Sequence, residues 1–178
     1  MITESGRALT AHHAVLVSNI IGYETAPDST PDEVTSGDPV VLKELWRCYQ
    51  YALEPSGPKS LTELYHDVAY RLAEAHEMYT HGVLSLREKS TAEEIYYAAC
   101  HCLLKALDIT KPAEQEVFLE LNEKLADKVF LNFSLFQSIP DAWGIGQVFP
   151  IMPTSQLDQA LDRRGVVQDI TCDSDGKL

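Results

Sequence analysis

Two short runs near opposite ends of the sequence carry side chains that could do chemistry. Glu4-Ser5-Gly6-Arg7 sets a carboxylate, an unhindered backbone and a guanidinium within four residues. Glycine lets a backbone approach a phosphate closely, and arginine grips phosphate oxygens in a fork. A carboxylate two residues before that glycine can meet a protonated ring nitrogen. Pyridoxal phosphate presents such a nitrogen and a phosphate at opposite ends of one ring. The same four residues also suit a capped turn closed by a salt bridge. Near the other end, Cys172-Asp173-Ser174-Asp175-Gly176 offers a thiol and two carboxylates, or simply a buried thiol followed by a turn.

Other combinations fail on spacing. Asp173-x-Asp175-Gly176 matches the third, fifth and sixth positions of a calcium loop, but Thr171 would be a poor first ligand. The glutamate required at position twelve would fall beyond Leu178. His76 and His81 flank HEMYTH, yet an i+5 separation sets two helical side chains roughly 140° apart, so they cannot share a zinc ion. Cys100-His101-Cys102 points three potential ligands in diverging directions and reads as two small buried thiols beside a polar histidine. No residue is assigned to a metal. No phosphate-binding loop of the GxGxxG or Walker kind is present, nor a GxSxG elbow.

The elements that must position the two runs are legible from periodicity. Residues 14–21, AVLVSNII, read as a buried strand. A loop rich in Pro, Ser, Thr and Asp follows. Asp38-Pro39 reads as an N-cap with proline in the first helical position, opening VVLKELWRCYQYAL. Ser60-x-x-Glu63 is a capping box for a second helix with Leu61, Leu64, Tyr65, Val68, Leu72 and Ala75 at helical spacing, and Gly82 is expected near its end. Ser90-x-x-Glu93 is read as the box of a third helix, striped by Ile95, Tyr96, Ala99, Leu103 and Ala106. After Lys111-Pro112 a fourth helix is expected to run through Phe130, apolar at Val117, Leu121, Leu125 and Val129. Residues 132–138 read as a strand, Pro140-Asp141 as a turn, 149–153 as an edge strand or extended segment, and 166–171 as a strand delivering Cys172.

The fold class is therefore α+β, a four-helix-type bundle inserted between strands of an incomplete β domain. Residues 1–24 begin the β domain with the ESGR motif, and 25–37 link it to the bundle. Residues 38–130 form the bundle, and 131–178 return to strands ending in TCDSDG. At 178 residues the chain can bury a sizeable core. Its 27 Asp and Glu against 14 Lys and Arg give a formal charge of −13, which argues against nucleic acid as a partner. Four scattered cysteines without a CxxC pair suggest reduced thiols. No apolar run has bilayer-spanning length, and the first residues lack the regions of a signal peptide. The expectation is a cytoplasmic chain with no membrane partner.

ESGRALTAHHAVLVSNII, NFSLFQSIPDAW, FPIMP and DITCDSDG, in this order, resemble the biosynthetic arginine decarboxylases, pyridoxal-phosphate enzymes of the alanine-racemase-like group. The resemblance runs over essentially the whole chain and covers a middle-to-late part of a much longer polypeptide. It implies a pyridoxal-binding barrel, a β domain, and a helical bundle inserted into that domain. By resemblance, Glu4 pairs with the pyridine nitrogen, while Gly6 and Arg7 bind the phosphate. Cys172 acts as a general acid in a site shared across a dimer interface, and Asp173 faces the guanidinium of the substrate, L-arginine. Magnesium is implied for the family, with no site identified here. The family's cofactor lysine lies upstream of ESGR and matches no lysine here, so the chain alone is expected not to decarboxylate arginine. The competing reading is a non-catalytic helical interaction or oligomerisation module.

Overall fold

The computed structural model describes residues 14–55, 57–160 and 164–171. They divide into two compact units, one of residues 14–24 with 127–160 and 164–171 and the other of residues 25–55 and 57–126.

The second unit is helical: α1 (Val40–Leu53), α2 (Leu61–Thr80), α3 (Leu86–Ala106) and α4 (Pro112–Lys124). Each helix turns one apolar stripe inward. Val41, Leu42, Leu45, Tyr49 and Ala52 do so on α1, and Leu64, Tyr65, Val68 and Ala75 on α2. The helix α3 packs against all three others, which explains its broader buried face of Ala92, Ile95, Tyr96, Ala98, Ala99, Cys100 and Leu103. Alanines at Ala92 and Ala99 let neighbouring helices come close while Ile95 and Leu103 fill the gaps. Val117 and Leu121 close the core from α4.

The helix ends show where local chemistry wins. The expected box at Ser60 is present: the Glu63 amide donates to Ser60 Oγ at 3.1 Å, and the Ser60 amide donates to the Glu63 carboxylate at 3.0 Å. Its helix ends in a Schellman turn. Gly82 takes φ +73°, its amide donates to the Tyr79 carbonyl, and the Val83 amide donates to that of Met78. The box expected at Ser90 is a correction. The helix begins five residues earlier, with Ser85 as N-cap and Glu88 completing the box, while Ser90 sits on an exposed helical turn. Asp38 also differs from expectation. Its carboxylate accepts from the amide and hydroxyl of Thr35, each at 2.7 Å, and so closes the preceding turn. Pro39, with ψ 150°, is the N-cap itself, and its carbonyl accepts from Leu42 and Lys43. Pro112 takes the first position of α4, where its missing N–H costs nothing.

The fourth helix stops short of Phe130. Residues 127–131 form instead β2 (Asp127–Leu131), paired antiparallel with β1 (Ile20–Glu24) and parallel with β3 (Gly165–Gln168), in the order β1-β2-β3. Lys128-Val129-Phe130 faces Glu24, Tyr23 and Gly22 on one side and Val166, Val167 and Gln168 on the other. Two partner strands outweigh the helical spacing of Leu125 and Val129. The first strand is likewise displaced, since pairing starts at Ile20 and residues 14–19 lie outside it. The strand expected over 132–138 is also corrected. The chain bends at Phe133 and forms α5 (Leu135–Ser138), and Pro140 opens α6 (Pro140–Ile145) rather than a turn. Gly146, at φ +66°, ends α6, and residues 149–153 form no strand.

Candidate functional site

Glu4, Gly6, Arg7, Cys172 and Asp173 lie outside the described residues. What the structure resolves is the support that their neighbours build. Where β2 ends, the chain turns through Asn132, Phe133, Ser134 and Leu135, and two other segments fasten to that corner. From the first strand's approach, Ser18 Oγ donates to the Asn132 carbonyl at 3.1 Å, and the Asn132 amide donates to the Asn19 carbonyl at 3.1 Å. From the exit of β3, the Ile170 amide donates to the Phe133 carbonyl at 3.3 Å. The segment that follows ESGRALTAHH and the segment that precedes CDSDG thus meet the same four residues. NFSL, one of the runs carrying the family resemblance, is that meeting point.

The β3 exit is fastened by side chains as well. Asp169 is buried, 8% exposed, and its Oδ2 accepts from the Leu135 amide at 2.8 Å and from Thr171 Oγ1 at 2.6 Å. Thr171 Oγ1 also lies 2.9 Å from Ser134 Oγ. With its one hydrogen given to the carboxylate, the Thr171 oxygen is left to accept from Ser134. The amide of Leu135 is one of the free N–H groups at the start of α5, which a carboxylate satisfies well. Phe133 and Leu135 are themselves buried and give the corner its anchor. Sequence reasoning read residues 166–171 only as a strand. The available signal was the charged Asp169 within a β-branched run, because a buried carboxylate requires donors.

The bundle's reactive residue types are structurally engaged. His76 Nε2 lies 2.9 Å from the Glu93 carboxylate, which Lys89 also contacts at 3.0 Å, and His81 caps α2. His101 Nε2 is 3.0 Å from the Pro27 carbonyl. Burial pushes the Cys100 thiol up to about 12, so it is inert at neutral pH. Beside it Lys124 Nζ donates to Tyr65 Oη at 2.7 Å and pairs with Glu120 at 3.0 Å. Burial raises the Tyr65 and Tyr96 phenols above their usual range, leaving this a neutral-phenol, charged-amine cluster. Among the described residues, no group of three or more His, Cys, Asp or Glu is arranged to hold a metal ion, and no helix is long and apolar enough to cross a membrane.

Comparison with known proteins accounts for both units. The family described as the arginine decarboxylase helical bundle domain matches residues 35–122. Along the whole chain, the biosynthetic arginine decarboxylase of Marinobacter nauticus is 49% identical over 178 residues, that of Tolumonas auensis 51% over 179, and that of Escherichia coli K12 48% over 178. The helical unit carries the arginine decarboxylase helical bundle domain, and the whole chain is similar to biosynthetic arginine decarboxylases. Each of these alignments takes in 100% of this chain but only 27–28% of the relative, so the chain spans under a third of the curated arginine decarboxylases it matches. A crystal structure of the biosynthetic arginine decarboxylase SpeA from Campylobacter jejuni superposes with a TM-score of 0.60 at 28% identity. It covers 90% of this chain and 24% of that one. A helical bundle and a small mixed sheet in one chain are thus a fold shared with an arginine decarboxylase of known structure.

Proposed function

We propose that this chain supplies the bundle and two active-site limbs of a pyridoxal-phosphate-dependent decarboxylase converting L-arginine to agmatine and carbon dioxide, a step of polyamine and spermidine biosynthesis. The observation that supports this reading most is the corner at residues 132–135, which fastens the segments leading from ESGR and into TCDSDG, in a chain whose relatives are arginine decarboxylases throughout its length. The donor set suits the group. A carboxylate, a bare backbone and a guanidinium complement a protonated ring nitrogen and a phosphate.

When bound, pyridoxal phosphate supplies an electron sink for the pair of electrons left as carbon dioxide departs. Glu4 holds the ring nitrogen protonated, while Gly6 and Arg7 bind the phosphate. Cys172 gives the proton on Sγ to the carbon that lost its carboxylate and becomes a thiolate. Asp173 pairs with the guanidinium end of arginine and so sets the distance between that end and the reacting carbon. We further propose that the working site is shared between two copies of the parent polypeptide. The unpaired thiols of Cys48, Cys100 and Cys102 support a reducing compartment, the cytoplasm.

The isolated chain is not expected to turn over arginine. A lysine that attaches the cofactor must do so as the neutral amine. Here Lys59, Lys89, Lys111, Lys124 and Lys128 each pair with a carboxylate, and the pairings of Lys59 with Asp67 and Lys111 with Glu114 raise both amines. The test is a chimera in which residues 1–178 replace the corresponding segment of the Escherichia coli relative. Agmatine release by the chimera, with a loss of about 10²–10⁴-fold on Cys172→Ala, supports the general-acid role. A folded chimera that binds the cofactor but is inactive, or one indifferent to Cys172→Ala, overturns it. A purely structural interaction module predicts the second outcome.

A further inference from the structure

The strand β1 joins the sheet with little side-chain packing of its own. It pairs with β2 through the backbone, and that pairing is irregular between Ile20 and Gly22. None of its five residues is buried, and Ile20, Ile21 and Tyr23 are each more than half exposed. The ion pair between Glu24 and Lys128, at 3.2 Å, is exposed and so contributes little. Two strands joined in this way are marginally stable in water. Among the described residues, the buried apolar side chains of this unit are Phe133 and Leu135, past the end of β2. The bundle is the opposite case, since its buried core runs from Val41 to Leu121 and draws on all four helices.

The chain passes from β1 to β2 by way of the whole bundle. Pairing of two tethered strands depends on the effective concentration of one at the other, which the tether sets. While the bundle is folded, Glu24 and Lys128 stand paired as they would across a short turn. With the bundle open, the same tether is a flexible chain of about a hundred residues. A roughly tenfold longer tether lowers the effective concentration by about thirtyfold, as the −3/2 power of its length. The strand β3 is exempt, because residues 132–164 join it to β2 and the bundle is not among them.

We infer that the folded state of the bundle controls whether β1 stays in the sheet, and that the control runs one way. Opening the bundle releases β1, and with it the contacts of Ser18 and Asn19 to Asn132. Detaching β1 leaves the bundle folded, because the residues of its core all lie between Val34 and Leu125. This deepens the proposed role of the corner at residues 132–135 and rests on that reading for its purpose. The dependence of β1 on the bundle is a property of the described residues alone.

The experiment uses the 178-residue chain without cofactor or substrate, so its outcome is separate from that of any decarboxylation assay. Leu103→Ala, at a fully buried position, lowers the urea midpoint of the bundle. Hydrogen exchange is followed by mass spectrometry at a urea concentration between the midpoints of variant and wild type. The bundle is then folded in one protein and open in the other, in the same solvent. A variant already open without urea is compared there. Peptides covering residues 20–24 are expected to be protected in the wild type. In Leu103→Ala they should lose about thirtyfold of that protection, or reach the rate of an unstructured chain. Peptides covering 165–168 should lose much less. In the reverse direction, Tyr23→Pro removes an amide from β1 and should leave the urea midpoint of the bundle unchanged. The inference is overturned if residues 20–24 are unprotected in the wild type, or keep their protection when the bundle is open. Equal losses at 20–24 and 165–168 also overturn it, and a lowered bundle midpoint in Tyr23→Pro overturns its one-way direction.

Discussion

The start of α3 permits a sharp test of helix capping, because two Ser-x-x-Glu runs five residues apart compete for the same role. In the structure the Glu88 amide donates to Ser85 Oγ at 3.3 Å, the Ser85 amide donates to the Glu88 carboxylate at 2.6 Å, and the Ser85 hydroxyl contacts that carboxylate at 2.6 Å. Ser85→Ala removes the acceptor for one end amide and the hydroxyl donor to Glu88. The expected cost is about 1 kcal/mol, the usual range being roughly 0.5–2. Ser90 is exposed within the helix and only 3.4 Å from the Glu94 carboxylate, a weak contact. Ser90→Ala exchanges it for the best helix former and should be neutral or stabilising by a few tenths of a kcal/mol. For a domain of this size 1 kcal/mol is about 4–8 °C in Tm, so the two alanine variants should separate clearly in a far-UV circular dichroism melt. The pH dependence adds a second signature. The Ser85 hydroxyl, and after it the Ser85 amide, holds the Glu88 carboxyl below its usual range. A folded pKa below the unfolded one stabilises above the unfolded value and loses that contribution as pH falls through the folded one. Ser85→Ala should therefore shrink the gap between neutral and acid melting temperatures. If Ser90→Ala lowers Tm as much as Ser85→Ala does, the capping assignment and the reasoning behind it are wrong.

Three further outcomes are expected. Leu103→Ala, at a fully buried position on α3, should lower stability by about 2–5 kcal/mol, read as a reduced urea midpoint with an unchanged slope. Cys100, with its thiol pushed up to about 12 by burial, should resist iodoacetamide at neutral pH and react only as urea unfolds the bundle. Early modification would show that the bundle opens locally. The Glu114 carboxyl is held below its usual range first by the Asp108 amide at 2.8 Å and then by Lys111. Its contribution should be present at neutral pH and fade as pH falls through its lowered pKa, so Glu114→Gln should flatten the acid limb of a stability–pH profile.

The bundle could be read from the sequence because its signals are local. A stripe at helical spacing, a Ser-x-x-Glu box and a glycine at a helix end each act within one or two turns. The same locality explains the errors. Ser85 and Ser90 satisfy one pattern equally, and only the Schellman turn at Gly82, with the chain re-entering the core at buried Leu84, decides between them. Residues 127–131 continue an acceptable helical stripe, and become a strand because Tyr23 and Val167, far away in sequence, lie on either side of Val129. The buried Asp169 carboxylate accepts from the Leu135 amide, 34 residues earlier, and no short pattern carries that information. The chemical runs themselves were recognisable by residue type, whereas the corner that fastens their neighbours emerged only from long-range bonds.

The insertion of the bundle between β1 and β2 has a consequence for how the chain acquires its shape. Glu24 and Lys128 are paired across the sheet although 104 positions separate them. Closing an unstructured loop of that length costs more than closing one of about ten residues by about 2 kcal/mol, at roughly 0.6 kcal/mol per doubling. If the helices assemble first, the entropy of bringing the two strand ends together is met by contacts within the insert, and strand pairing becomes a nearly local event. The order of assembly is then helices before sheet. On that order the inserted bundle acts as a clasp, shortening the search made by the two strands that flank it in the sequence.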